Sequence, residues 1–160
     1  MRKLILLTIT ISFFYSTDAQ LCRFEKTNGM ESATYFEAIA WYKNLDKIST
    51  KVLVKEMGIT DAGYPLHLVM VSNDGRFDAA QWHKQNKAVI LINNGIHPGE
   101  PDGIDASMML VRDIVTNKIK LPDNVALAFI PLYNIGGCLN RNSWSRANQN
   151  GPLEYGFRGN

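Results

Sequence analysis

The chain has 160 residues, enough for one domain or part of one. Its composition, 46% hydrophobic and 20% charged, excludes a disordered or fibrous polypeptide. With 17 basic and 15 acidic residues the net charge is +2, which gives no electrostatic case for nucleic acid or an anionic membrane surface as a partner.

Arg2 and Lys3 precede an uncharged, mostly apolar stretch from Leu4 to Phe14 that is too short to span a bilayer. Thr17-Asp18-Ala19 then places small residues at the offsets read for cleavage after Ala19. Residues 1–19 are expected to be a removed export signal. Residues 20–160 are expected to be a secreted or periplasmic domain with no stable membrane association. Cys22 and Cys138 are the only cysteines, and outside the cytosol they can form one intramolecular bond. Leu21 is a poor match to the small residue that lipid attachment at Cys22 would prefer.

Ala33 to Ile48 reads as an amphipathic helix, with Phe36, Ile39, Ala40 and Leu45 at helical spacing and Ser32 or Thr34 as its cap. Lys51 to Ile59 and Pro65 to Ser72 read as a hairpin turned at Asp61-Ala62-Gly63-Tyr64. Alternation of Val52, Val54, Leu66, Leu68 and Met70 gives it a buried face and puts His67 on the opposite, solvated one. Asp78 to Gln85 is a short helix in a polar stretch that includes His83. Lys87 to Asn93 is a strand without polar alternation, so it is expected to be an inner strand buried on both faces.

Asp102 to Asn117 reads as a helix capped by Asp102, and Val125 to Leu132 as another apolar strand, broken by Asn134-Ile135-Gly136-Gly137. From Gly136 to Asn160 there is no period, and a loop of that length in a compact domain points to function. The order implies an α/β fold with a mixed sheet, its last three elements forming a βαβ unit with parallel strands.

Ligands of open α/β sheets sit beyond the carboxyl ends of the strands. His97 and Glu100 lie there, three positions apart on the turn His97-Pro98-Gly99-Glu100. An imidazole nitrogen and a carboxylate oxygen together suit a borderline-soft cation such as zinc, but two ligands are too few for a catalytic site. A His after a strand is otherwise an ordinary loop residue. Arg141 and Arg146 follow the next strand and are candidates for the same crevice. Arg146, within Trp144-Ser145-Arg146-Ala147-Asn148, either is a solvated loop cation or stabilises a developing oxyanion.

At these residues the chain resembles the zinc carboxypeptidases of the carboxypeptidase A type. Asn93-Asn94-Gly95-Ile96-His97-Pro98-Gly99-Glu100-Pro101-Asp102-Gly103 is similar to the first zinc-ligand segment of bacterial members. Pro131-Leu132-Tyr133-Asn134-Ile135-Gly136-Gly137 resembles their next strand and its asparagine turn, and Trp144-Ser145-Arg146 falls where they carry a catalytic arginine. The resemblance implies a central mixed sheet with helices on both faces, and His97 and Glu100 as the first two ligands of a Zn2+ ion. It implies Arg146 as a clamp on the scissile carbonyl, and a peptide substrate cut at its C-terminal residue by water that a glutamate deprotonates.

No His follows His97, and the family's second His ligand, its general-base Glu and its carboxylate-holding pair lie further downstream than Asn160. The chain is therefore expected to be the N-terminal portion of the domain, truncated after its first half and inactive by itself. Its inner strands should then expose edges. Two other readings compete: a related zinc-dependent deacylase or amidohydrolase acting on a small molecule, and a non-catalytic, degenerate relative.

Overall fold

The structure, a computed structural model, describes residues 20–145 and 151–159. The expected export signal and Arg146 lie outside the described residues.

A short helix α1 (Arg23–Lys26) precedes α2 (Tyr35–Ile48). The Thr34 side chain accepts from Glu37 N–H while the Glu37 side chain accepts from Thr34 N–H, a reciprocal cap at the start of α2. The hairpin follows as β1 (Val52–Ile59) and β2 (Pro65–Val71), then α3 (Ala79–Lys84), capped by Asp78. The βαβ unit is β3 (Ala88–Asn93), α4 (Asp102–Val115) and β4 (Val125–Ile130), and α5 (Ile135–Leu139) comes after it. Strand order in the sheet is β1-β2-β4-β3. β3 and β4 are parallel, and β2 is antiparallel to both β1 and β4.

Register assigns the faces. Val52, Val71, Leu127 and Ile90 line up across the sheet, as do Val54, Val69, Phe129 and Ile92. That face carries the main core, filled by Tyr42 and Leu45 of α2, Met108, Val111 and Ile114 of α4, and Ile135 and Cys138 of α5. The other face, with Leu53, Met70 and Ala126, is covered by Trp82 of α3 and Phe77. Helices thus lie on both faces, with α3 alone on the second.

Several expectations change. His67 is 2% exposed, not solvated, because it shares the parity of Val69 and Val71 and lies beneath the helices beside Tyr35. A register shift between Glu56 and Gly58 explains why simple alternation along the hairpin misassigned the faces. Leu68 and Met70 therefore point away from Val52 and Val54. Phe36 and Ala40 are exposed on α2, whose buried stripe is Tyr35, Ala38, Ile39, Tyr42 and Leu45. The cap position of α4 is Pro101 rather than Asp102, and no side chain caps that end.

β3 bears the exposed edge expected of an inner strand in a partial sheet. It is an edge strand, and Val89, Ile90 and Leu91 are 50%, 48% and 61% exposed. The apolar run was read as an inner strand; here β4 flanks one side, and the thin face lacks a helix over Val89 and Leu91. Cys22 and Cys138 are buried and unpaired, and burial pushes their thiols up to about 11 and about 12.

Candidate metal centre

The parallel ladder runs on past the strands. Asn94 N–H donates to Ile130 O, Tyr133 N–H to Asn94 O and Asn134 N–H to Gly95 O, at 2.9–3.0 Å. The turn after β3 and the turn after β4 therefore adjoin, as the crossover in the sequence suggested. Gly95 holds φ at +62°, and a Cβ on it would lie 3.3 Å from Leu132 Cα. Glycine lets the two turns approach.

Asn94 anchors the start of α4. Its Nδ2 donates to Ser107 Oγ at 2.8 Å in a buried setting, and its Oδ1 lies 2.6 Å from where a Cβ on Gly103 would stand. The sequence singled out neither residue for this role. The signal was available in parity: Asn94 continues the series 88, 90, 92, whose main-chain groups face β4, so it is the first polar side chain carried into the core.

His97 and Glu100 stand on the turn so positioned. Glu100 N–H donates to His97 O at 2.8 Å, closing the turn. His97 Nδ1 lies 4.0 Å from Glu100 Oε2, with the side chains 40% and 44% exposed. Tetrahedral zinc ligands at bond lengths of about 2.0–2.1 Å stand about 3.3 Å apart, so a small turn of either side chain brings both donors to one ion. The pair lines an open cleft of about 250 Å³ with Asn93, Asn94, Gly95 and Gly103. Ile96 separates it from a second hollow of about 440 Å³ between Tyr133 and the hairpin turn at Thr60 and Asp61. The donor set fits zinc in kind but supplies two positions where catalytic zinc takes three protein ligands. Among the described residues, no group of three or more His, Cys, Asp and Glu side chains could hold a metal.

The chain between 151 and 159 folds back over both turns. Gly156 N–H donates to Pro98 O at 3.2 Å and Phe157 N–H to Gly137 O at 2.8 Å. Asn134, at the cap of α5, accepts from Gly137 N–H and donates to the carbonyls of Arg158 and Gly159. Asn142 Oδ1 accepts from Trp144 and Ser145 N–H. Arg141 is committed elsewhere: its Nη2 donates to Glu154 O at 2.7 Å and Ser32 O at 3.3 Å. It joins two peripheral segments, and burial lowers its guanidinium pKa. His83 is exposed on α3 and His67 is buried under α2, so neither of them joins His97.

Residues 38–156 match a family model described as zinc carboxypeptidase. Among solved structures, the chain is similar to a carboxypeptidase A from Helicoverpa armigera, with TM-score 0.59 and 19% identity, over 69% of this chain and 26% of that one. It is similar to bovine thrombin-activatable fibrinolysis inhibitor, with TM-score 0.53 and 18% identity, over 66% and 32%. A metallo-carboxypeptidase from Burkholderia cenocepacia matches with TM-score 0.52 and 20% identity, over 67% and 28%. The chain thus spans between about a quarter and a third of the length of these structures, and the likeness is one of fold. No curated protein matches the chain.

Proposed function

The chain belongs to the zinc carboxypeptidase family, and on that premise we propose that it forms the first half of a metallocarboxypeptidase site that removes the C-terminal residue of peptides. The observation that carries this reading is the approach of His97 Nδ1 and Glu100 Oε2 to 4.0 Å on a turn braced by the neighbouring strand. In this proposal His97 and Glu100 hold Zn2+, which when bound supplies Lewis acidity to a carbonyl and lowers the pKa of water. Arg146 donates to the carbonyl oxygen as charge gathers on it. The third ligand and the general base come from elsewhere. Residues 1–19 direct export and are removed, so that the domain works in a secreted or periplasmic setting. No helix among the described residues is long and apolar enough to cross a membrane.

Two measurements test the reading. In equilibrium dialysis the 160-residue chain should retain zinc weakly or not at all, and it should show no turnover of peptides bearing a free C-terminus. Tight stoichiometric zinc with turnover would refute the half-site account. Where the remaining ligand and base are supplied, His97→Ala should strip the metal. Arg146→Ala should leave the metal bound and lower kcat by about 10²–10³-fold, the range for loss of an oxyanion donor. An unchanged kcat in Arg146→Ala would end its assigned role.

A further inference from the structure

Glu56 of β1 and His67 of β2 are direct partners across the hairpin, at the point where its register shifts. Glu56 shares the parity of Val52 and Val54, so its side chain rises on the helix face beside His67. There its Oε1 accepts from Lys43 Nζ of α2 at 2.8 Å and stands 3.5 Å from His67 Nε2. His67 is buried, and neither of its ring nitrogens has a hydrogen-bond partner. A buried imidazole left so is costly, and protonation makes donors of both nitrogens. The charged groups that act on the ring are Lys43 and Glu56. Tyr35 of α2 lies with its ring 6.2 Å away and donates its hydroxyl to Pro65 O, and Tyr64 of the hairpin turn packs against Tyr35 at 5.8 Å. Burial raises the pKa of Tyr35 and pushes that of Cys138 in α5 up to about 12, so both stay neutral.

We propose that His67 is a proton-operated latch between the hairpin and α2: when the ring gains a proton, the Glu56 carboxylate leaves Lys43 and closes on His67 Nε2. The exchange needs only rotation of an exposed side chain, since a charge-assisted bond of about 2.8 Å lies less than about 1 Å from the present separation. It trades a solvent-exposed ion pair, which is worth little in water, for a charged hydrogen bond to a buried ring. Lys43 holds the Glu56 carboxyl below its usual range, so Glu56 is still ionised where His67 titrates. Burial, and after it the Lys43 charge, lowers the His67 pKa against the opposing pull of Glu56 and the Pro65 carbonyl. The folded ring thus takes its proton below pH 6.5, and the stability it supplies is complete above that pH and is lost as pH falls. A tie between α2 and the hairpin at neutral pH becomes a tie within the hairpin in acid. Leu66, the neighbour of His67, lines the hollow beside Ile96, so the latch lies in the wall of that hollow. The proposal is independent of the zinc reading.

Carbon-13 NMR titration of the full chain tests it. The His67 ring is assigned by its loss in His67→Gln and the Glu56 carboxyl by its loss in Glu56→Gln. The His67 midpoint should lie below 6.5. Glu56→Gln should lower it further and Lys43→Gln should raise it, each by about half a pH unit. Both substitutions are at exposed positions and should leave the circular dichroism spectrum unchanged. The Glu56 carboxyl signal should step at the His67 midpoint, and the step should vanish in His67→Gln. A midpoint at or above 6.5, a ring that stays neutral until the chain unfolds in acid, a midpoint that ignores either substitution, or a Glu56 signal without the step would each overturn the proposal.

Discussion

Asp105 stands in the first turn of α4, buried, with Ala33 N–H donating to its Oδ1 at 3.2 Å. Burial pushes its pKa up from 3.8 to about 6. The folded carboxyl thus holds its proton more tightly than the unfolded one. Its contribution to stability is complete below about pH 4 and is lost as pH rises through about 6. Asp105→Asn stays neutral and can still accept from Ala33, so it should escape that loss. Urea unfolding should show the variant gaining on the parent by up to about 3 kcal/mol between pH 4 and pH 7. A difference independent of pH would show that Asp105 is ionised in the fold at no cost. By sequence alone, Asp105 is a favourable charge at a helix start. Its burial depends on the segment at Ala33, which no local pattern places there. The place of His97 and Glu100 on the turn after β3 was readable because they follow an apolar run that ends abruptly. His67 was misread for the converse reason, since a face is assigned by the whole sheet and not by one strand.

Element positions were read within about two residues for α2, β1, β2, β3 and α4, because periodicity and turn residues are local. Face and depth were not, because they depend on neighbours. β3 shows this most plainly: its composition is that of a strand with covers on both sides, while its place in the order puts it at the margin. The joint between elements is set by Gly95, whose positive φ lets Asn94 and Gly95 accept from the opposite turn. Gly95→Ala should cost about 1–2 kcal/mol from left-handed strain, with added crowding against Leu132. Thermal unfolding should fall by several degrees, and an unchanged midpoint would mean that the turn relaxes without strain.

At the scale of the molecule, the segment from Gln20 to Ala33 binds the helical layer from outside. Trp41 Nε1 donates to Gln20 O at 3.0 Å, and Arg23 pairs with Glu31 and Glu37. Arg112 of α4 reaches both oxygens of Glu25, at 2.6 Å for Oε1. The Arg112 bonds, opposed by burial, leave the Glu25 pKa below its usual range. Glu25→Gln should cost about 1 kcal/mol, since the partly buried guanidinium loses one of its two carboxylate partners and keeps only Asp113. Limited proteolysis should then cut first within residues 20–33, and an unchanged cleavage pattern would mean that Trp41 and the Arg23 pairs suffice to hold the strap.

The strand order also bears on biosynthesis. β3 leaves the ribosome before β4, yet β4 is the strand that shelters its inner edge. At ordinary elongation speeds the nascent chain carries this sticky hexapeptide unpaired for on the order of seconds while α4 and the following loop are made. Until β4 is in place, that apolar strand offers an unpaired edge to misassembly.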